Sequence, residues 1–291
     1  MRFEAASIGA IGALALASAA VAEAPVTPRG NFGGGALVSP PRPIFGAGNA
    51  IVALRALPKR RLEIEATVRA RCAGGDITAS AKISAGGSFK SEGTATQEPS
   101  PALKIETKYQ LDGRFTTAGA AEGTISATLE RSLEGRVETC RTGTVKFAAR
   151  RPTTGIGTAG APKAALYYGT TNQRGTGPNR AIVLRVSASG RRLTRGLFGE
   201  SVKCNDGKLS IGVEAPRTNI AIDSRGRVKD RERFELKEGE TITHVDDRFT
   251  AQLGSKGASG TFSLSDRTAD RASGRTIRTC RSGTIRWRAS R

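Results

Sequence analysis

Leu62, Ile64, Ala66, Val68, Ala70 and Cys72 are interleaved with Arg61, Glu63, Glu65, Thr67, Arg69 and Arg71. A period of two predicts a strand with one buried and one wet face, and it places Cys72 on the inward side. The period recurs at Ile77, Ala79, Ala81 and Ile83, at Leu103, Ile105, Thr107 and Tyr109, at Ile125, Ala127 and Leu129, and at Val145 and Phe147. Leu209, Ile211 and Val213 carry it on after Asn205-Asp206-Gly207, a tight-turn signal. Gly86-Gly87 and Asp112-Gly113 predict further turns. No helical period is sustained after the first 22 residues. The pattern predicts an all-β protein of two tandem antiparallel domains, each a β-sandwich or barrel-like unit of six to eight short strands.

The division into two follows from an internal repeat. The segment from Thr139 through Cys140-Arg141-Thr142-Gly143-Thr144 to Phe147 returns, with conservative exchanges, from Thr279 through Cys280-Arg281-Ser282-Gly283-Thr284 to Trp287. Ala50-Ile51-Val52 matches Ala181-Ile182-Val183, Ile83 to Lys90 matches Ile222 to Lys229, and Arg114-Phe115-Thr116 matches Arg248-Phe249-Thr250. The expected plan is a signal peptide over 1–22, a disordered leader over 23–30, domains over 31–151 and 166–291, and a Gly/Pro/Thr linker over 152–165 between them. Phe147 and Trp287 are expected to pack in the two cores near the cysteines.

The four cysteines fall two to a repeat and allow three connectivities; duplication selects Cys72–Cys140 and Cys204–Cys280. Each bridge would close a loop of about 70 residues, worth about 4 kcal/mol in the chain-entropy model. Zinc would require clustered ligands such as Cys-x-x-Cys, and these cysteines stand alone. The start of the chain agrees with an oxidising destination. Met1-Arg2 precedes an apolar run from Ala5 that ends in Ala20-Val21-Ala22, the pattern of a cleaved secretory signal. No later segment is apolar enough to span a bilayer. The expected location is secreted or on the exterior of the cell envelope.

Charge adds one functional hint. Lys+Arg number 46 against 26 Asp+Glu, a formal net charge of +20. Such a field attracts polyanions, including nucleic acid and anionic envelope polymers. Local basic clusters make Lys59, Arg60, Arg61, Arg191, Arg192, Arg225 and Arg227 candidate polyanion contacts. Only 5% of residues are aromatic, which argues against a base-stacking surface.

Catalytic signals are weak. His244 is the only histidine, and it has no counterpart in the first repeat. No Gly-x-Ser-x-Gly elbow selects a nucleophile. Adjacent Asp246 and Asp247 would point to opposite faces of a strand. Gly33-Gly34-Gly35 lacks the Lys-Ser/Thr sequel of a phosphate loop and reads as flexible backbone. No calcium loop occurs, and no motif implies a metal or cofactor.

Arg114-Phe115-Thr116 with the segment from Cys140 to Phe147, and Arg248-Phe249-Thr250 with that from Cys280 to Trp287, resemble a loose group of exported, Arg/Ala/Gly-rich bacterial proteins. Their one or two β-domains end in a Cys-x-Ser/Thr-Gly-Thr-x-x-Trp/Phe strand. The resemblance implies secretion and a β fold, and it carries no activity. The leading expectation is therefore an exported, non-enzymatic binding or envelope-associated protein. Polyanion binding is the second reading, and a hydrolase built around His244 the third.

Overall fold

The structure, a computed structural model, describes residues 26–37, 48–100, 102–174, 177–214 and 219–291. The expected signal peptide lies outside these residues. The first sheet contains β1 (Gly30–Ala36), β2 (Ala50–Leu57), β3 (Arg61–Arg69), β4 (Gly74–Lys82), β5 (Ser88–Ser100), β6 (Leu103–Thr117), β7 (Ala120–Leu133) and β8 (Arg136–Arg150), paired in the order β4-β3-β2-β1-β8-β7-β6-β5. Pairing β1 with β8 rolls this antiparallel meander into a barrel-like sheet whose ladder is open between β4 and β5. Side chains bridge the opening. The Asp76 amide donates to Gln97 Oε1 at 2.9 Å, and Gln97 Nε2 donates to Asp76 Oδ2 at 2.6 Å.

The second sheet contains β9 (Leu166–Arg174), β10 (Asn179–Val186), β11 (Arg192–Cys204), β12 (Leu209–Glu214), β13 (Ile220–Ala221), β14 (Arg227–Glu238), β15 (Thr241–Leu253), β16 (Gly257–Asp270), β17 (Thr276–Arg281) and β18 (Ile285–Ser290). Its order is β12-β11-β10-β9-β18-β16-β15-β14, the plan of the first sheet, with β17 and β18 together in the place of β8. The described residues include no α-helix, and no helix among them is long and apolar enough to cross a membrane. Strands β5 to β8 and β14 to β16 run to 12–15 residues, longer than the short strands expected.

Inward side chains fill each barrel. Phe32, Phe89 and Phe115 cluster in the first, and Phe198, Phe249, Phe262 and Trp287 in the second. Trp287 stacks on Phe249 with ring centroids 5.7 Å apart. Phe147 and Trp287 each lie over a glycine of the neighbouring strand, Gly123 or Gly260, where a Cβ would meet the ring at 2.8 or 2.6 Å. Asp112-Gly113 is not a turn. It lies inside β6, where Gly113 leaves room for the ring of Phe89.

Both expected disulfides form, Cys72–Cys140 and Cys204–Cys280. The repeated segment around them is a built-in break in the final strand. Thr142 Oγ1 accepts from the Ala127 amide at 2.9 Å and donates to Gly143 O at 2.7 Å. Ser282 Oγ repeats this with the Leu264 amide and Gly283 O, both at 2.8 Å. The glycines hold φ of 67° and 66°, a left-handed geometry that side-chain-bearing residues adopt at a cost. Before the break β17 pairs with β11 and β16, setting Cys280 opposite Cys204, and after it β18 pairs with β9.

Backbone pairing corrects two sequence matches. The amide of Phe115 donates to Gly87 O and that of Leu253 to Gly226 O, so Leu253, not Phe249, occupies the place of Phe115. The two Arg-Phe-Thr segments are four residues out of register. Leu54 faces Phe32 and Leu184 faces Tyr167, which aligns Ile51 with Ala181 and shifts the Ala-Ile-Val match by one.

The barrels meet through corresponding strands, β1 and β2 against β9 and β10. Ile51, Ala53, Ala181 and Leu197 form an apolar cluster between them. Gly33-Gly34-Gly35 is strand, not flexible backbone. A Cβ on Gly33 would lie 1.8 Å from Gly169 O across the seam, and one on Gly34 would lie 1.9 Å from Ala148 O of β8. Glu65, expected on a wet face, is buried because the second barrel covers this part of β3; it pairs with Arg180. Within the stretch expected as a leader, Val26 packs on the first core and Pro28 is buried. Residues 156–160 of the linker are fastened to the β15–β16 turn by backbone hydrogen bonds.

Candidate functional site

Strands β14 to β18 turn alternate side chains outward. In β14 these are Lys229, Arg231, Arg233 and Glu235; in β15 they are Thr250, Arg248, Asp246 and His244, which face them pair by pair. In β16 the row continues with Thr261, Ser263, Ser265 and Arg267, and then with Arg286 of β18 and Arg281 and Thr279 of β17. This face carries seven cations (Lys229, Arg231, Arg233, Arg248, Arg267, Arg281, Arg286) against two anions (Glu235, Asp246).

The first barrel supplies an internal control. The corresponding positions of β5 to β8 hold Lys90, Lys108, Arg141 and Lys146 against Glu92, Glu106, Asp112 and Glu130, four of each sign. Some of these pair with one another, Lys90 with Asp112 at 2.9 Å and Lys108 with Glu106 at 3.5 Å. One scaffold thus has a neutral face in one copy and a strongly basic face in the other. A structural requirement of the fold would act on both copies, so the excess of arginine belongs to the second alone.

The basic face is concave. A depression of about 580 Å³ is lined by three arginines (Arg233, Arg267, Arg281), three acidic residues (Glu235, Asp246, Asp266) and His244, Ser265, Thr279, Phe234 and Val245. On one side Asp246 is clamped by Arg231, whose Nε reaches Oδ1 at 2.9 Å, and by Arg233 at 3.2 Å. Hydrogen bonds from Arg231 hold the Asp246 carboxyl down at about 2, so it is ionised throughout the neutral range. Across the depression, the guanidinium groups of Arg267 and Arg281 have no carboxylate partner among the described residues. Two such donors beside the Thr279 hydroxyl are suited to a phosphate, sulfate or carboxylate group.

His244 sits on the rim with Nδ1 3.1 Å from Glu235 Oε1. No hydroxyl is hydrogen-bonded to it among the described residues, and Ser265 Oγ is directed to Asp246 O at 3.5 Å. Asp246 and Asp247 do point to opposite faces, since Asp247 is buried inside the barrel and its Oδ1 accepts from the Glu232 amide. Among the described residues no three His, Cys, Asp or Glu side chains converge as a metal site.

Of the basic residues picked from local sequence clusters, Arg227 opens β14 at the end of this outward row, and the others lie elsewhere. Lys59 and Arg60 form the turn after β2, and Arg61 opens β3. Arg191 and Arg192 come next to the turn that holds Arg225, through a hydrogen bond from the Ile222 amide to Arg191 O. Local partners engage two of these: Arg227 pairs with Asp223 at 2.7 Å, and Arg192 donates to Asn219 O. Of the outer-face arginines, Arg231 and Arg233 fall in the mixed cluster from Arg225 to Arg233 that the sequence shows; the others are spread over four strands with no local block. The one signal was their spacing, as in Arg231-x-Arg233 and Arg286-x-Arg288.

A second cleft of about 540 Å³ lies at the seam between the barrels and is walled by Leu37, Lys146, Tyr168 and Arg185. No family model matches the chain, and no curated protein sequence matches it.

Proposed function

We propose that this is an exported, non-enzymatic binding protein that engages polyanions through the arginine-rich outer face of its second barrel. The observation that carries the reading is the difference in charge between corresponding faces of the two copies. Two disulfides fit an oxidising compartment, where acidic polymers of the envelope would be the ligands met. A hydrolytic role for His244 would need a hydroxyl donating to its ring, and Ser265 is directed elsewhere.

The purified protein is expected to bind heparin-agarose at low ionic strength and to elute as salt is raised. Arg267→Ala/Arg281→Ala should lower the slope of log K against log salt by roughly 2, about one unit for each lost contact. Failure of the wild type to bind at low salt would remove the proposal. Turnover of ester or glycoside substrates that is lost in His244→Ala would replace it with the hydrolase.

Asp246 makes a second prediction with the opposite sign. Its carboxylate occupies Arg231 and Arg233 and competes with any incoming anion. Asp246→Asn should therefore tighten heparin binding and steepen the salt slope by roughly 1. Isothermal titration at two salt concentrations would detect the gain, and weaker binding would show that Asp246 orients these arginines instead of masking them.

A further inference from the structure

The basic face has a direction. Beyond the depression, the outward positions of the final strand continue as Arg286 and Arg288, both exposed and without a carboxylate partner among the described residues. Arg281 and Arg288 lie opposite Ser265 and Ser259 of β16, six residues apart, a run of roughly 20 Å at the rise of a strand. Neutral hydroxyls flank the run, because Arg286 faces Thr261 and Arg288 faces Ser259. In the first barrel the position of Arg288 is taken by Ala148, so the matching strip, which borders the seam cleft, carries one cation, Lys146, in place of two.

Resting on the polyanion reading above, we infer that the ligand is a linear acidic polysaccharide lying along β17 and β18. One acidic group is seated between Arg267 and Arg281, and later groups along the same chain meet Arg286 and Arg288. Three observations select this ligand. Unpaired guanidinium groups lie in file, as the repeating charges of a linear chain require. The outward positions of β14 to β18 hold no Phe, Tyr or Trp, so successive unstacked bases have no row of platforms. The hydroxyls and guanidinium groups beside the file are the donors that match sulfate and carboxylate oxygens.

The test uses the full mature protein and size-defined heparin oligosaccharides, from disaccharide to dodecasaccharide, by isothermal titration at low salt. Affinity should rise with length and level off once the chain spans the file. Arg286→Ala/Arg288→Ala should abolish that rise, whereas Arg267→Ala/Arg281→Ala should weaken binding at every length, the disaccharide included. The melting temperature of each variant, expected to match the wild type, confirms that the fold is intact. Affinity independent of length, or long-chain binding untouched by Arg286→Ala/Arg288→Ala, would overturn the file while leaving polyanion binding in place. Absence of binding to any heparin fragment would remove the function itself. A DNA duplex or single strand of matched charge that binds more tightly than the glycan would overturn the choice of polysaccharide.

Discussion

The Cys204→Ala/Cys280→Ala variant is expected to lose about 4 kcal/mol of stability, the chain-entropy value for a loop of this size. The cysteines are 76 residues apart in sequence and directly opposed between β11 and β17. The ladder they close is short, with only Lys203–Arg281 and Cys204–Cys280 in register. Without the covalent link, those pairs and the Asn205–Thr279 hydrogen bonds must hold β17 against β11 ahead of the break at Gly283. Both cysteines are also buried, so truncation to alanine removes packed sulfur as well as the link. In a chain of this length each kcal/mol moves the melting temperature by about 2–4 °C, which predicts a fall of roughly 8–16 °C by calorimetry. A fall of less than roughly 2 °C would mean that the ladder and the Ser282 bridge suffice alone.

Alternation made the architecture legible. Because the repeat carried one pair of cysteines per copy, it also led to the correct disulfides. Short motifs read by eye were less secure. A strand's inward positions all accept an aromatic, so an Arg-Phe-Thr segment can slide by an even number of residues and still bury its ring, as Phe115 and Phe249 do. Glycine was misread in two places for one reason. Gly33 and Gly113 serve close approach, to Gly169 O and to the ring of Phe89, which is a tertiary property with no local signature. The seam between the barrels did leave a trace. Ala50 to Leu54 and Ala181 to Leu184 are apolar on both faces, the mark of a strand covered on both sides. The candidate site was nearly invisible, because its arginines come together only when β14 to β18 are laid side by side. Charge blocks in sequence led to turns, and strand pairing led to a face.

That seam holds the second large effect. Arg180→Ala should cost about 3–5 kcal/mol at neutral pH, since breaking a buried ion pair leaves the partner charge uncompensated. Both side chains are about nine-tenths buried between the barrels, and Glu65 also accepts a hydrogen bond from the Gly177 amide. Burial already holds the Glu65 carboxyl above its ordinary value of 4.5 despite the attraction of Arg180. Removing the guanidinium pushes it higher. A carboxyl with a raised folded-state pKa binds its proton more readily in the folded state, so stability is lost as pH rises through that pKa and is kept below the unfolded value. The deficit of Arg180→Ala should therefore be largest near pH 7 and shrink toward pH 4. Glu65→Gln added to Arg180→Ala should recover much of it at pH 7, because the stranded charge is gone. Urea unfolding of the three proteins at both pH values separates the causes: a deficit that is the same at pH 4 and pH 7, and unrelieved by glutamine, would assign the loss to missing side-chain packing at the seam instead of to charge.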